Sequence, residues 1–474
     1  MKPRLLSELV ELMQPAAVEV LGDDRMVGPD VVTDNRHVTD GAMFVAIPGE
    51  RVDGHAYAPA AEAAGASCVV GMYQTDADVP HLLGEDSVQT LSWIARAVVA
   101  EARARGLTSI GVTGSSGKTS TKDLIAQLLE RRGPTVAPVG SQNNEIGVPL
   151  TATRVDDDTR FLVSEMGARG IGHIGWLTSL VPLDIAVVLN VGQAHVGEFG
   201  GIDATAMAKA ELIEDLGPDG WAVLHADDPL VAAMAGKTDG RIAWVGTGEL
   251  PDGDLRVAAR DVRIDALSRP RFTLEVTDAD GTRTADVQLG VIGRHQVGNA
   301  LSAAAVGVIV GMDVDDIAAA LGEAVARSSW RMALSTLPGD ALLLNDAYNA
   351  NPDSMAAALR TAADIVEANR ADHPDARLVA VLGDMLELGA GAVDAHIGIG
   401  RLAADLRFDE VVAVGEHAAD VVRGAAEGVS VARVATREAT ASSLSLGPGD
   451  VVLIKGSRGI GLEAVATALE EEAK

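Results

Sequence analysis

The chain has 474 residues, 47% of them hydrophobic, which is too many for one ordinary domain and enough to bury several cores, so two or three domains are expected. Its formal net charge of -30 argues against a protein that coats nucleic acid or an anionic membrane, both of which would repel it at long range, and by itself serves solubility. Cys68 is the only cysteine, which rules out an intrachain disulfide and a thiolate metal cluster and points to a reducing cytoplasm.

From the start, Met1 to Leu12 is interrupted by Glu8 and Glu11 and shows neither an apolar signal core nor a small-residue cleavage site. The longest apolar runs, such as Ala303 to Met312, are too short to span a bilayer, so no stable membrane association is expected. Short strands at Val31 to Thr33, Met43 to Ile47 and Cys68 to Gly71, with an Ala-rich helix from Ala58 to Gly65, predict a small α/β module. It ends at the turn Gly84-Glu85-Asp86, before a helical stretch from Val88 to Arg105.

The segment Gly111-Val112-Thr113-Gly114-Ser115-Ser116-Gly117-Lys118-Thr119-Ser120 follows, between an apolar strand (Ser109 to Thr113) and a helix (Lys118 to Arg131). In such a loop glycines let backbone N–H groups close on phosphate oxygens, a lysine brings charge to the β/γ-phosphates, and a threonine hydroxyl can ligate Mg²⁺. The general pattern has a glycine where Val112 stands, so this is a variant phosphate loop. Strands at Phe161 to Ser164 and Ile185 to Leu189 and a helix at Ala204 to Leu216 continue the alternation of a parallel sheet covered on both faces. Leu255 to Gly290 reads as alternating strands around a hairpin turn at Asp278-Ala279-Asp280-Gly281, followed by a helix at Asn299 to Gly311. From Trp330 onward, strands at Leu342 to Leu344, Leu378 to Leu382, Val411 to Val414 and Val451 to Ile454 predict a second doubly wound domain. Gly456, Gly459 and Gly461 do not follow the dinucleotide fingerprint, which argues against a nicotinamide cofactor.

Ligands of open parallel sheets lie beyond the carboxyl ends of the strands. Glu165 and His195 both follow predicted strands and suit metal binding, although a loop or a cap would look the same. Asn143-Asn144 offers amides for a substrate carboxylate or phosphate, or a turn. Asp346 to Ser354 is denser in polar groups than a turn needs and ends in a helix cap followed by Pro352. By composition Lys209 reads as a surface lysine on an Ala-rich helix.

Together these segments resemble the Mur ligase family, ATP-dependent amino-acid ligases of bacterial peptidoglycan precursor synthesis, over almost the whole length. The family's phosphate loop is similar to Thr113 to Thr119 and carries the same departure at the position of Val112. Asn143 to Thr151, Asp346 to Met355 and Leu382 to Gly389 resemble the members that add D-alanyl-D-alanine. The resemblance implies an α/β protein of three domains: a small N-terminal UDP-binding module (1–85), a central parallel-sheet ATPase domain (86–330), and a C-terminal Rossmann-like doubly wound domain (331–474). It implies that Gly114, Ser115, Ser116, Gly117, Lys118, Thr119 and Ser120 hold ATP with Asn299 at the adenine, Asp346 at the ribose and Arg331 at the phosphates. Thr119 and Glu165 would bind one Mg²⁺ and His195 a second. Lys209 would take up CO₂ as a carbamate, turning a cation into an anion beside the metals.

Asp34, Asn35 and Arg36 with Asp53, Gly54 and His55 resemble the uridine-diphosphate site, Asn35 standing where serine is usual. Asn143, Asn144, Tyr348, Asn349, Asn351 and Ser354 are the remaining substrate-binding candidates, and Lys118, Lys209, His195 and Arg331 the catalytic ones. The implied reaction joins D-alanyl-D-alanine to a UDP-N-acetylmuramoyl-tripeptide through an acyl phosphate, in the cytoplasm, by a monomer. The rivals are a sibling adding lysine or diaminopimelate as the third residue, a folate polyglutamate ligase, and a nucleotide-binding scaffold that does not ligate.

Overall fold

Met43–Val45 and Cys68–Gly71 are short, wholly apolar runs, and both are fully buried at the middle of the N-terminal sheet. In this computed structural model, which describes residues 1–49, 51–192 and 201–471, that sheet has five strands in the spatial order Glu19–Leu21, His81–Leu83, Cys68–Gly71, Met43–Val45, Val31–Val32. Glu19–Leu21 runs antiparallel and the rest are parallel. Helix Ser87–Arg103 starts where the Asp86 carboxylate accepts the Gln89 N–H (2.8 Å), an N-cap that fixes the boundary after the predicted turn. Its buried Leu91, Ile94, Ala95, Val98 and Ala102 recur at helical spacing and join the N-terminal module to the central domain in one apolar core.

The central sheet has nine strands. Strand Thr108–Thr113 lies inside it, with Phe161–Glu165 on one side and Ile185–Val188 on the other, both parallel to it. The chain passes first to one side (Thr135–Val136, Phe161–Glu165) and then to the other (Ile185–Val188, Trp221–His225, Arg241–Gly246), so the order reverses at the phosphate loop's own strand. That reversal opens a crevice at the strand's carboxyl end. Val112 is still inside this strand, fully buried and paired on both sides, with Glu165 opposite it on one neighbour. The departure from the general pattern thus has a physical reason: a glycine here would weaken a central strand, and the loop's turn begins only at Gly114.

Leu255–Ile264 adds to this sheet in parallel, and the expected hairpin (Pro270–Asp278, Gly281–Gln288) extends it antiparallel. Strands Trp221–His225 and Arg241–Gly246 had not been foreseen.

The C-terminal domain is a six-stranded sheet in the order Ala333–Thr336, Leu342–Asp346, Val451–Lys455, Leu378–Gly383, Glu410–Val414, Val431–Val434, parallel except for the first. Alternation decides its two cores. Val451 and Leu453 pack under helices Pro352–Asn369, Ala392–Asp405 and Ala418–Ala425, while Val452 and Ile454 pack under Arg437–Ser443 and Glu463–Glu471. Leu342–Asp346 and Val451–Lys455 run past their expected ends, so that Asp346 and Lys455 are the last residues of neighbouring strands, directly paired in register. Among the described residues, no helix is long and apolar enough to cross a membrane.

Candidate active site

The phosphate loop turns into helix Lys118–Glu130 at Gly117, whose φ of 81° is left-handed. A side chain there would be strained, and its Cβ would lie 2.6 Å from Asn299 Oδ1. Asn190, just past the neighbouring strand, holds the loop open: its carbonyl accepts the Ser115 N–H (3.1 Å) and its side chain accepts the Ser116 N–H (2.9 Å). The first-turn N–H groups of the helix have no intrahelical partner and face the crevice as an anion site. Lys118 bridges the loop by donating to the Gly114 carbonyl (2.7 Å), and burial pushes its pKa down, opposed by the Glu165 carboxylate.

Glu165 lies opposite Val112 in the strand register, and the turn of the loop brings Thr119 to it, its hydroxyl donating to Glu165 Oε2 (2.9 Å). The second carboxylate oxygen accepts from Ser141 Oγ (2.7 Å) and Asn143 Nδ2 (2.8 Å). Asn143 therefore sits behind Glu165. Asn144 forms a turn, its side chain accepting the N–H groups of Ile146 (3.2 Å) and Gly147 (2.9 Å). A buried carboxylate and a hydroxyl beside an anion site suit Mg²⁺, which takes few protein oxygens and completes its shell with phosphates and water. No group of three or more His, Cys, Asp or Glu side chains able to hold a metal occurs among the described residues. His195, expected at a second metal, lies outside the described residues.

The surface reading of Lys209 is overturned. Its side chain is 4% exposed, whereas Met207 on the same helix is 47% exposed. Thr205, Lys209, Leu212 and Ile213 share the buried stripe of helix Ile202–Glu214, a periodicity that could have been read from the sequence. Burial, reinforced by the nearby Lys118, lowers the Lys209 pKa to about 7.

The C-terminal domain closes the other side of the crevice. Arg331 Nη2 donates to Thr119 Oγ1 (3.2 Å), and its guanidinium lies over the Tyr348 ring at 4.1 Å. Asn351 caps helix Pro352–Asn369 in a reciprocal pair with Ser354, and its Nδ2 also reaches the Ser115 carbonyl (3.4 Å). The Asn349 side chain accepts the Ala350 N–H (2.9 Å). Between the two domains lies a cavity of about 440 Å³ lined by Ser116, Gly117, Ser120, Asn299, Arg331 and Asp346 among others. Asn299 is braced by Gln296 Oε1 (2.8 Å).

The N-terminal candidates form two local clusters. Arg36 pairs with Asp34 (2.5 Å) and holds its carboxyl well below the usual range, while Asn35 opens a short 3₁₀ turn. Asp53 accepts the Tyr73 hydroxyl (2.5 Å), the His55 N–H (3.0 Å) and His55 Nδ1–H (2.7 Å), and the Tyr73 hydroxyl contributes most to holding its carboxyl down. His55 Nε2 accepts from the Met72 N–H (2.9 Å), which leaves its proton on Nδ1. Only glycine fits at position 54, where a Cβ would lie 2.6 Å from the Ile47 backbone.

Three residues that sequence reasoning missed complete the picture: Ser141 and Asn190, above, and Lys455. Lys455 Nζ donates to Asp346 Oδ2 (2.5 Å). It ends a strand of the C-terminal sheet, the same signal that pointed to Glu165.

Three family models match in succession: Mur ligase family, catalytic domain over residues 30–106; Mur ligase middle domain over 112–307; and Mur ligase, glutamate ligase domain over 330–458. The chain is 42% identical to the UDP-N-acetylmuramoyl-tripeptide--D-alanyl-D-alanine ligase of Mycobacterium tuberculosis, covering 98% of this chain and 97% of that protein. It is 34% identical to the enzyme of the same name from Escherichia coli, covering 98% of each. Among solved structures it is similar to MurF from Acinetobacter baumannii (TM-score 0.84, 28% identity, 99% of each chain). It is also similar to MurF ligase from Thermotoga maritima in complex with ADP (TM-score 0.75, 27% identity, 94% of this chain and 97% of that one).

Proposed function

This chain belongs to the Mur ligase family, and from that premise we infer that it joins D-alanyl-D-alanine to a UDP-N-acetylmuramoyl-tripeptide at the expense of ATP. The observation that carries this reading is the corner where Arg331 of the C-terminal domain donates to Thr119 of the phosphate loop, itself bonded to Glu165. A nucleotide scaffold has no need of a second domain's cation at that point, whereas transfer of a phosphoryl group between two anions does.

The terminal carboxylate of the tripeptide attacks the γ-phosphorus of ATP, forming a C–O–P bond and releasing ADP. The uncharged amine of D-alanyl-D-alanine then attacks the acyl carbon; phosphate leaves and the amine proton is lost, giving the amide. Lys118 and Arg331 bring positive charge to the converging anions. Thr119 and Glu165 would hold Mg²⁺, which when bound adds charge neutralisation at the phosphates. Ser141 and Asn143 orient the Glu165 carboxylate for that task. The contacts of the C-terminal domain with the loop keep water from the acyl phosphate.

Lys209 is assigned to a carbamate formed with CO₂, and His195 to a second metal. A lysine with a pKa of about 7 has the uncharged amine that carbamylation needs. The change also converts its repulsion with Lys118 into attraction. Asp34, Asn35, Arg36, Asp53, Gly54 and His55 are assigned to the UDP moiety, and the domains to 1–85, 86–330 and 331–474. Precursor synthesis of this kind places the enzyme in the cytoplasm.

The test is phosphate release from ATP with UDP-N-acetylmuramoyl-tripeptide, with and without D-alanyl-D-alanine. Release that requires the dipeptide is expected. Release supported instead by UDP-dipeptide with lysine or diaminopimelate would move the chain to a sibling activity.

A further inference from the structure

Lys455 is 2% exposed, and a buried ammonium persists only when it is paired and hydrogen-bonded. Its Nζ donates to Asp346 Oδ2 (2.5 Å) and to the Asn349 carbonyl (2.9 Å), tying strand Val451–Lys455 to the segment that follows the neighbouring strand. The other Asp346 oxygen accepts the Met332 N–H (3.1 Å). The Tyr348 N–H donates to the Trp330 carbonyl (3.2 Å). Both anchors of the turn Trp330-Arg331-Met332 thus come from the segment that Lys455 clamps. The turn needs them, because Trp330 (φ 57°) and Met332 (φ 52°) are both left-handed, a conformation rare for such side chains. Arg331, between them, reaches Thr119 Oγ1 (3.2 Å).

We propose that Lys455 is a positioning residue for phosphoryl transfer: by fixing Asp346 it holds the turn that aims the Arg331 guanidinium at the phosphate-loop corner. The proposal rests on the ligase reading above. It differs from a purely structural role in one respect, which is that its effect passes through Arg331.

The experiment is a double-mutant cycle on substrate-dependent phosphate release. Lys455→Met is expected to lower kcat about 10- to 100-fold, the scale of loss when a reacting geometry is displaced by about 1 Å, and Lys455→Arg to recover most of it. In an Arg331→Met background, Lys455→Met is expected to change the residual rate by less than about twofold, because the two residues act as one unit. Losses that multiply would overturn the proposal. If circular dichroism shows Lys455→Met unfolded, Lys455→Gln, which keeps a polar donor but loses the charge and the reach that bind Asp346, takes its place in the same cycle. If the wild type shows no dipeptide-dependent release, the ligase reading fails by itself. The cycle is then run on affinity for a non-hydrolysable ATP analogue, and additivity there overturns the proposal.

Discussion

Replacing Lys209 with methionine should stabilise this protein while abolishing its activity. The lysine's pKa falls from an ordinary 10.5 to about 7 on folding, through burial first and Lys118 second. Between those two values the unfolded chain holds a proton that the folded chain does not, so the wild-type contribution to stability rises with pH across that window. It is most unfavourable below pH 7 and vanishes above pH 10.5. A shift of this size costs about 4 kcal/mol at pH 7 and about 5 kcal/mol at lower pH. Methionine keeps an unbranched apolar stem in the same space and has nothing to ionise. The assay is thermal unfolding of wild type and Lys209→Met from pH 6 to pH 10 in CO₂-free buffer. The variant should melt about 10 °C higher at pH 6 to 7 for a domain of this size, with the gap closing as pH rises. In bicarbonate with Mg²⁺ the wild type should recover part of the difference. A gap that does not depend on pH, or a wild type more stable at pH 6 to 7, would refute the reasoning.

Two further substitutions probe the same crevice. Asn143→Ala removes the 2.8 Å bond to Glu165 and should raise the Mg²⁺ concentration needed for half-maximal phosphate release about 10- to 100-fold, as loss of a ligand's orienting partner does; an unchanged Mg²⁺ titration would show that Asn143 does not orient Glu165 for the metal. Gly117→Ala puts a Cβ at φ 81° against Asn299 and should cost about 1–3 kcal/mol of stability, together with weaker nucleotide binding; a melting curve and a fluorescent-ATP titration check both.

Sequence reading located the strand and helix around the phosphate loop because a buried strand, a glycine turn and a helix each leave a local signature. The hairpin Pro270–Asp278/Gly281–Gln288 was legible for the same reason, its turn residues being set by backbone geometry. Strands Trp221–His225 and Arg241–Gly246 were not, because short apolar runs in a buried parallel sheet have no alternation to distinguish them. Composition favours exposure for lysine, so only the family resemblance singled out Lys209, although the helical period of Thr205, Lys209, Leu212 and Ile213 already pointed to a buried face.

The amino-acid order alone therefore determined the parts whose physics is local: Gly117 for a left-handed turn, Lys118 and Thr119 at a helix N-terminus, Asp86 and Asn351 as caps. The tertiary structure decided which distant groups meet. Strand register set Glu165 opposite Val112, from where the turn of the phosphate loop brings Thr119 to it, and parallel pairing set Lys455 beside Asp346, though 109 residues separate them. The docking of one doubly wound domain on another brought Arg331 to the phosphate loop. Charge and burial act through space, and a chain written in one dimension does not state its distances in three.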